Sequence, residues 1–266
     1  MIGLLKRIAF RCCYRQDYRI LKNLKDRETG KVGFVIGNGP SLQIGDLECL
    51  HELEGIVSIA SNGIYLSYEN TNWRPDYYSI ADPLVWKKCK GEFSEFHDRV
   101  FSPRSLRAKQ DSDDAIYYRH LGVVPVENQR KSAERYFSSD LSVGAFSGGT
   151  VTYENLQLAA HLGLNPIYLV GCDHSYAGQG QSKTENVSRE ILHESGIQNH
   201  FSPHYRKPGE KVLSANVLQM DAAFEEARRY SDQGDTRILN ATRGGNLEAF
   251  ERTDLDLVFE KLRNSD

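Results

Sequence analysis

No run of apolar residues in this 266-residue chain approaches the ~18–20 needed to cross a bilayer. Near the start, the apolar residues 2–5 and 8–10 are interrupted by Lys6 and Arg7, so the continuous apolar core of a secretory leader is missing as well. A soluble, cytoplasmic protein is expected. Cysteine pairs are equally scarce. Cys12, Cys13, Cys49, Cys89 and Cys172 form no C-x-x-C and no metal-type spacing with histidine, a scattered and odd set that fits reduced thiols. Neither charge sign prevails: 33 Lys and Arg stand against 36 Asp and Glu, a net −3. That balance gives no bulk signal for nucleic acid. There is no internal repeat, no low-complexity linker, and neither the dinucleotide G-x-G-x-x-G nor the Walker G-x-x-x-x-G-K-[ST] pattern.

The charge that is there is unevenly spread. Residues 1–31 hold nine Lys and Arg against three Asp and Glu, leaving 24 against 33 for the rest. Leu5, Ile8 and Cys12 recur at helical spacing among Lys6, Arg7, Arg11, Arg15 and Arg19. This predicts a basic amphipathic N-terminal helix over 1–31, packed on the body or laid on an anionic membrane surface. A single domain is expected to follow over 32–266.

Apolar runs recur at 32–36, 55–61, 76–81, 99–102, 166–171 and 236–241. Continuous rather than alternating runs indicate strands covered on both faces. Between several of them lie helical patterns, the clearest at 153–164 and 215–234. Strand–helix alternation predicts an α/β fold: a doubly wound, mostly parallel, Rossmann-like sheet. The polar, weakly periodic stretches 104–140 and 176–214 are expected to form an inserted substrate lid.

Ligands of such sheets bind beyond the carboxyl ends of the strands, and small polar residues collect there. After the first run comes Gly37-Asn38-Gly39-Pro40-Ser41, after the second Asn62, and after the third Asp82. The fifth is followed by Asp173-His174-Ser175-Tyr176. Glycines permit positive φ and close backbone approach, so both the 37–39 turn and Ser147-Gly148-Gly149-Thr150 before a helix suit a phosphate or carboxylate. Asn38 offers a donor and an acceptor to a sugar or base edge. The plain alternatives are a tight turn and a Ser/Thr helix cap. His200 and His204 flank Pro203, which argues against a helical metal pair. A loop histidine near a phosphate site suits a general base, with Tyr205 and Arg206 available to a leaving phosphate.

In order, "FVIGNGPSL", "SNGIYL", "PIYLVGCDHSY" and "NHFSPHY" resemble the landmarks of the bacterial sialyltransferases of glycosyltransferase family 42. They also resemble the relatives grouped with archaeal 6-hydroxymethylpterin diphosphokinase, the MptE-like or DUF115 domain, which occurs in flagellin glycosyltransferases too. "SGGTVTYENLQLAAHLGLNPIYLVGCDHSY" and "NATRGGNLEAFER" are closest to the latter. The resemblance spans about residues 32–252 and implies a GT-A-like variant of the Rossmann sheet.

The resemblance implies an inverting, metal-independent glycosyltransferase. It would move a nonulosonic acid (sialic, pseudaminic or legionaminic acid) or Kdo from a CMP donor to a glycan or lipid-linked glycan of the cell surface. His204 would be the base and Tyr176 would stabilise the leaving phosphate, with Tyr205 and Arg206 beside it. Gly37, Asn38, Gly39, Ser41, Asn62, Asp82, Ser147, Gly148, Gly149, Thr150 and Asp173 would hold the donor. Asp82 stands where the sialyltransferases carry asparagine. With Asp173 it offers a Mg²⁺ site for the alternative reading, an ATP-dependent diphosphokinase. A third reading is a non-catalytic nucleotide-sugar-binding protein of polysaccharide assembly. Contact with the inner face of the membrane and self-association complete the expectations.

Overall fold

The six apolar runs become six of the seven strands of one sheet, and their side chains explain why it is covered twice. The computed structural model describes residues 14–89, 100–106, 115–126, 129, 134–176, 191–193, 199–207, 209–234 and 236–264. Among them, helix α1 (Arg15–Leu24) precedes strand β1 (Val32–Ile36), helix α2 (Ile44–Glu52) and strand β2 (Ile56–Ser61). Then come β3 (Tyr77–Ser79), α3 (Pro83–Cys89), β4 (Val100–Pro103), β5 (Ile116–Tyr118), β6 (His120–Val123) and β7 (Ala145–Ser147). The chain continues through α4 (Val151–Leu162), β8 (Ile167–Val170), β9 (Ile191–His193) and β10 (Lys211–Leu213). It ends with α5 (Val217–Gln233), β11 (Ile238–Asn240) and α6 (Leu255–Arg263).

Successive strand residues point to opposite faces. Val35, Ile167 and Leu169 therefore enter one core with Leu21, Leu24, Tyr153, Leu156 and Phe224 from α1, α4 and α5. Phe34, Ile36, Tyr168 and Val170 enter the other with Leu47, Trp86 and Phe259 from α2, α3 and α6. The seven strands run in the order β11-β8-β1-β2-β3-β4-β5, and every pairing is parallel. This is a Rossmann-like α/β sheet with helices on both faces. Two smaller sheets pair β6 with β7 in parallel and β9 with β10 antiparallel.

Both edges of the large sheet are covered. Along β5, Asp17 of α1 accepts from the backbone N–H of Tyr117 at 3.3 Å. Along β11, Asn240 bridges to Arg252 and bonds the backbone of Glu251 and Thr253 at 2.8 and 2.9 Å. The basic N-terminal segment is therefore, over residues 15–24, a helix whose Asp17, Leu21 and Leu24 are buried on the body. Residues 1–13, the remainder of that expectation, lie outside the described residues, as do 107–114, 177–190 and 194–198 of the expected lid. No helix among the described residues is long and apolar enough to cross a membrane.

Candidate functional site

The strand order reverses between β1 and β8, and a ligand crevice belongs at such a switch point. A cavity of about 560 Å³ opens there, within the usual range for small-molecule sites. Gly37, Asn38 and Gly39 after β1 and Gly171 through Tyr176 after β8 form its floor. Asn62 and Asp82 come from the ends of β2 and β3. Ser147, Gly149 and Thr150, with His120 and Glu154, line another wall, and His200, Tyr205 and Arg206 close it.

Of the two properties expected of the glycines in the first turn, close backbone approach is the one used. Neither takes positive φ. A Cβ on Gly37 would lie 2.3 Å from the carbonyl oxygen of Gly171, and one on Gly39 would lie 1.9 Å from Asp173 Oδ2. They let the β1 and β8 loops cross in contact, where the Gly39 N–H donates to the Gly171 carbonyl at 2.8 Å. Asp173 locks this crossing by accepting from Ser41 Oγ at 2.7 Å and from the Ser41 N–H. Ser41 is thereby a brace behind the floor, not part of the lining.

Asn38 sits between those loops. Its Nδ2 donates to the Ser61 carbonyl at 3.0 Å, and its own carbonyl accepts from the Phe201 N–H at 3.0 Å. Its Oδ1 is buried with no hydrogen-bond partner. Such an acceptor costs free energy unless a ligand donor meets it. Asn62 holds a left-handed φ of 55°, and its carbonyl accepts from Tyr78. Asp82 caps α3, with Oδ1 accepting from the Leu84 N–H at 2.7 Å.

Thr150 caps α4 through the Thr152 N–H, while Gly149 turns at φ 79°. The start of this twelve-residue helix faces the cavity and favours an anion. Gly148 is not in the lining. A Cβ there would meet Ala223 at 2.4 Å, so it serves the packing of α4 against α5.

His204 also stands apart. Its loop turns Tyr205 inward, where the ring stacks under His200 at 3.6 Å and fills the space left by Gly63, whose Cβ would lie 2.3 Å from it. The preceding His204 is consequently exposed, outside the residues lining the cavity. Burial, reinforced by Arg206, holds the His200 imidazole down to about 4, so it is neutral at neutral pH. Tyr176 lies in the wall, edge-on to His174 at 5.8 Å.

Sequence reasoning missed one group altogether. Glu154, in the first turn of α4, accepts from Tyr118 and lies 3.4 Å from His120 Nε2. Burial works against protonation of His120, yet the Glu154 carboxylate outweighs it and raises that imidazole above its ordinary value. The one carboxylate in the helix at 151–162, a helix buried from Tyr153 to Leu162, was the available signal. Cys172 is no nucleophile: burial, and then the Asp173 charge, pushes its thiol up to about 12. Among the described residues, no three His, Cys, Asp or Glu side chains gather as a metal site.

The chain matches the family of 6-hydroxymethylpterin diphosphokinase MptE-like proteins over residues 11–179. It belongs to that family. The match covers β1 through β8 and thus both loops of the switch point. A solved structure, that of MAf glycosyltransferase from Magnetospirillum magneticum AMB-1, aligns with 94% of this chain at 17% identity and a TM-score of 0.48. The chain spans 41% of that protein. No curated protein matches the chain.

Proposed function

We propose that this member of the MptE-like family is a transferase whose cavity takes a nucleotide-activated sugar, a CMP-linked nonulosonic acid or Kdo. The sugar passes to a hydroxyl of a glycan or lipid-linked glycan, with inversion. The observation that carries this reading is the unpartnered Oδ1 of Asn38 at the switch point. An amide oxygen in that state accepts from a ligand N–H or O–H, and a cytosine amino group or a ribose hydroxyl supplies one. Gly149 to Thr152 at the start of α4 suit the donor phosphate or carboxylate. Arg206 and the hydroxyl of Tyr176 suit the charge that builds on the departing phosphate. The acceptor oxygen forms its bond to the anomeric carbon as the bond to the phosphate oxygen breaks, and that electron pair leaves with CMP.

The family description favours a second reading, pyrophosphoryl transfer from ATP. In it, Asp82 and Asp173 would hold Mg²⁺, which would neutralise the phosphates. Both carboxylates also accept from the protein's own donors, Leu84 N–H and Ser41, and keep acceptor sites that a metal could use.

Thermal shift with CMP, CDP, UDP, GDP and ATP, each with and without Mg²⁺, decides between them, since a ligand bound to the native state raises Tm by mass action. A CMP shift indifferent to Mg²⁺ is expected. A shift with ATP alone, and only with Mg²⁺, would turn the assignment to pyrophosphoryl transfer.

A further inference from the structure

His174 follows Asp173 in the loop after β8 and takes a φ of 53°, a region that non-glycine residues seldom enter and that concentrates at functional sites. Its side chain is 8% exposed and belongs to the cavity wall. Tyr176 and Phe224 hold the ring edge-on, at 5.8 and 5.5 Å between centroids. Its Nε2 lies 2.6 Å from Oδ1 of Asp221 on α5. On the other flank of the ring, Nδ1 is buried and has no hydrogen-bond partner.

These contacts fix the tautomer. A carboxylate only accepts, so Nε2 carries the proton and the neutral ring keeps a lone pair on Nδ1. A histidine with one nitrogen held by a carboxylate and the other left unpaired in the wall of the cavity is the arrangement that general-base catalysis uses. The other cavity histidines differ. His120 shares the Glu154 carboxylate with Tyr118, and His200 is stacked on Tyr205 beside Arg206.

We propose that His174 Nδ1 is the proton acceptor for the attacking hydroxyl, with Asp221 orienting the ring and stabilising the imidazolium. The proposal rests on the transferase reading above, and only on its attacking hydroxyl, which sugar and pyrophosphoryl transfer share. The acceptor O–H bond breaks, its proton goes to Nδ1, and its oxygen takes the bond to the transferred group. The leaving phosphate departs with the electron pair of the broken bond, and the imidazolium later returns its proton to water.

The full chain is compared with His174→Gln and Asp221→Asn in transfer from CMP-sugars, with ATP and Mg²⁺ run in parallel. His174→Gln is expected to lose about 10²–10⁴-fold in kcat while its CMP thermal shift stays unchanged. Asp221→Asn is expected to lose less in kcat with KM unchanged, as a residue that orients the ring should. A purely structural Asp221 would instead lower Tm and change kcat and KM together. Full activity in His174→Gln would overturn the inference and leave the transferase reading standing. Transfer from ATP alone would overturn that reading, and the same variants would then judge His174 on the ATP reaction. If neither donor is used, imidazole ¹⁵N shifts of the wild-type chain decide: an unprotonated Nδ1 supports the inference, and a protonated Nδ1 sinks it.

Discussion

The side chain of Asn38 joins β1 to β2 by donating to the Ser61 carbonyl at 3.0 Å, while the oxygen of the same amide, buried, has no partner. One half of the group therefore serves the fold and the other half waits for a ligand. Replacing it with alanine removes a hydrogen bond and an unsatisfied acceptor together, and the two changes oppose each other in stability. Asn38→Ala should leave Tm nearly unchanged and weaken CMP binding about 10-fold or more, at about 1–3 kcal/mol for the lost contact. Calorimetric titration beside a melting curve checks this. Equal losses of stability and affinity would make Asn38 a fold residue only.

The loop crossing predicts a sharp contrast between glycines. Gly39→Ala brings a Cβ to 1.9 Å from Asp173 Oδ2 and should cost about 1–3 kcal/mol by overpacking. Gly45→Ala meets nothing within 4 Å and lies in α2, where alanine should add about 0.5–1 kcal/mol. Chemical denaturation of both variants tests the pair. Similar midpoints would mean that the two loops do not cross as closely as described.

Acid should weaken the fold through two buried histidines. His161 accepts from the Leu141 N–H on Nδ1 and bonds the Leu21 carbonyl through Nε2. Burial lowers its imidazole and outweighs the Asp140 charge. His200 is held down to about 4, first by burial and then by Arg206. A histidine that resists protonation in the fold, against about 6.5 in the unfolded chain, leaves stability complete above that value. Stability is then lost as pH falls from about 6.5 towards 4. Melting temperatures should fall from pH 6.5 to 4.5, with a shallower fall in His200→Gln. Parallel curves for wild type and variant would rule out the His200 share.

The His120–Glu154 pair gives a spectroscopic prediction. Glu154→Gln removes the charge that raises the His120 imidazole, leaving burial to act alone. The ring should then titrate below its ordinary value of about 6.5, whereas in the wild type it titrates above. Proton NMR of the His120 Cε1–H reads both midpoints, and coincident curves would contradict the pairing.

Strands at 32–36, 55–61 and 166–171 were legible because burial on both faces removes polar residues from them, and their ends marked the cavity for the same topological reason. The β5 strand was not legible, since its three residues sit inside a polar stretch and are recruited by pairing with β4 rather than by their own pattern. Gly37 and Gly39 were seen, but their partners were not: contact between loops more than 130 residues apart leaves no local trace. The exposure of His204 was illegible for a like reason. Spacing can show two histidines in one loop, but only the inward turn of Tyr205 determines that His204 faces out. The carboxylate that holds His174 lies 47 residues away in sequence.

The way the sheet ends has a consequence for handling the protein. A bare strand edge is a template on which another chain can polymerise. Here α1 blocks one template through the Asp17 carboxylate on the Tyr117 N–H, and the 251–253 segment blocks the other. Trimming the chain as far as residue 25 would strip the guard from β5 and offer its backbone to neighbouring molecules. Solubility at high concentration, more than melting temperature, is the property such a truncation would sacrifice.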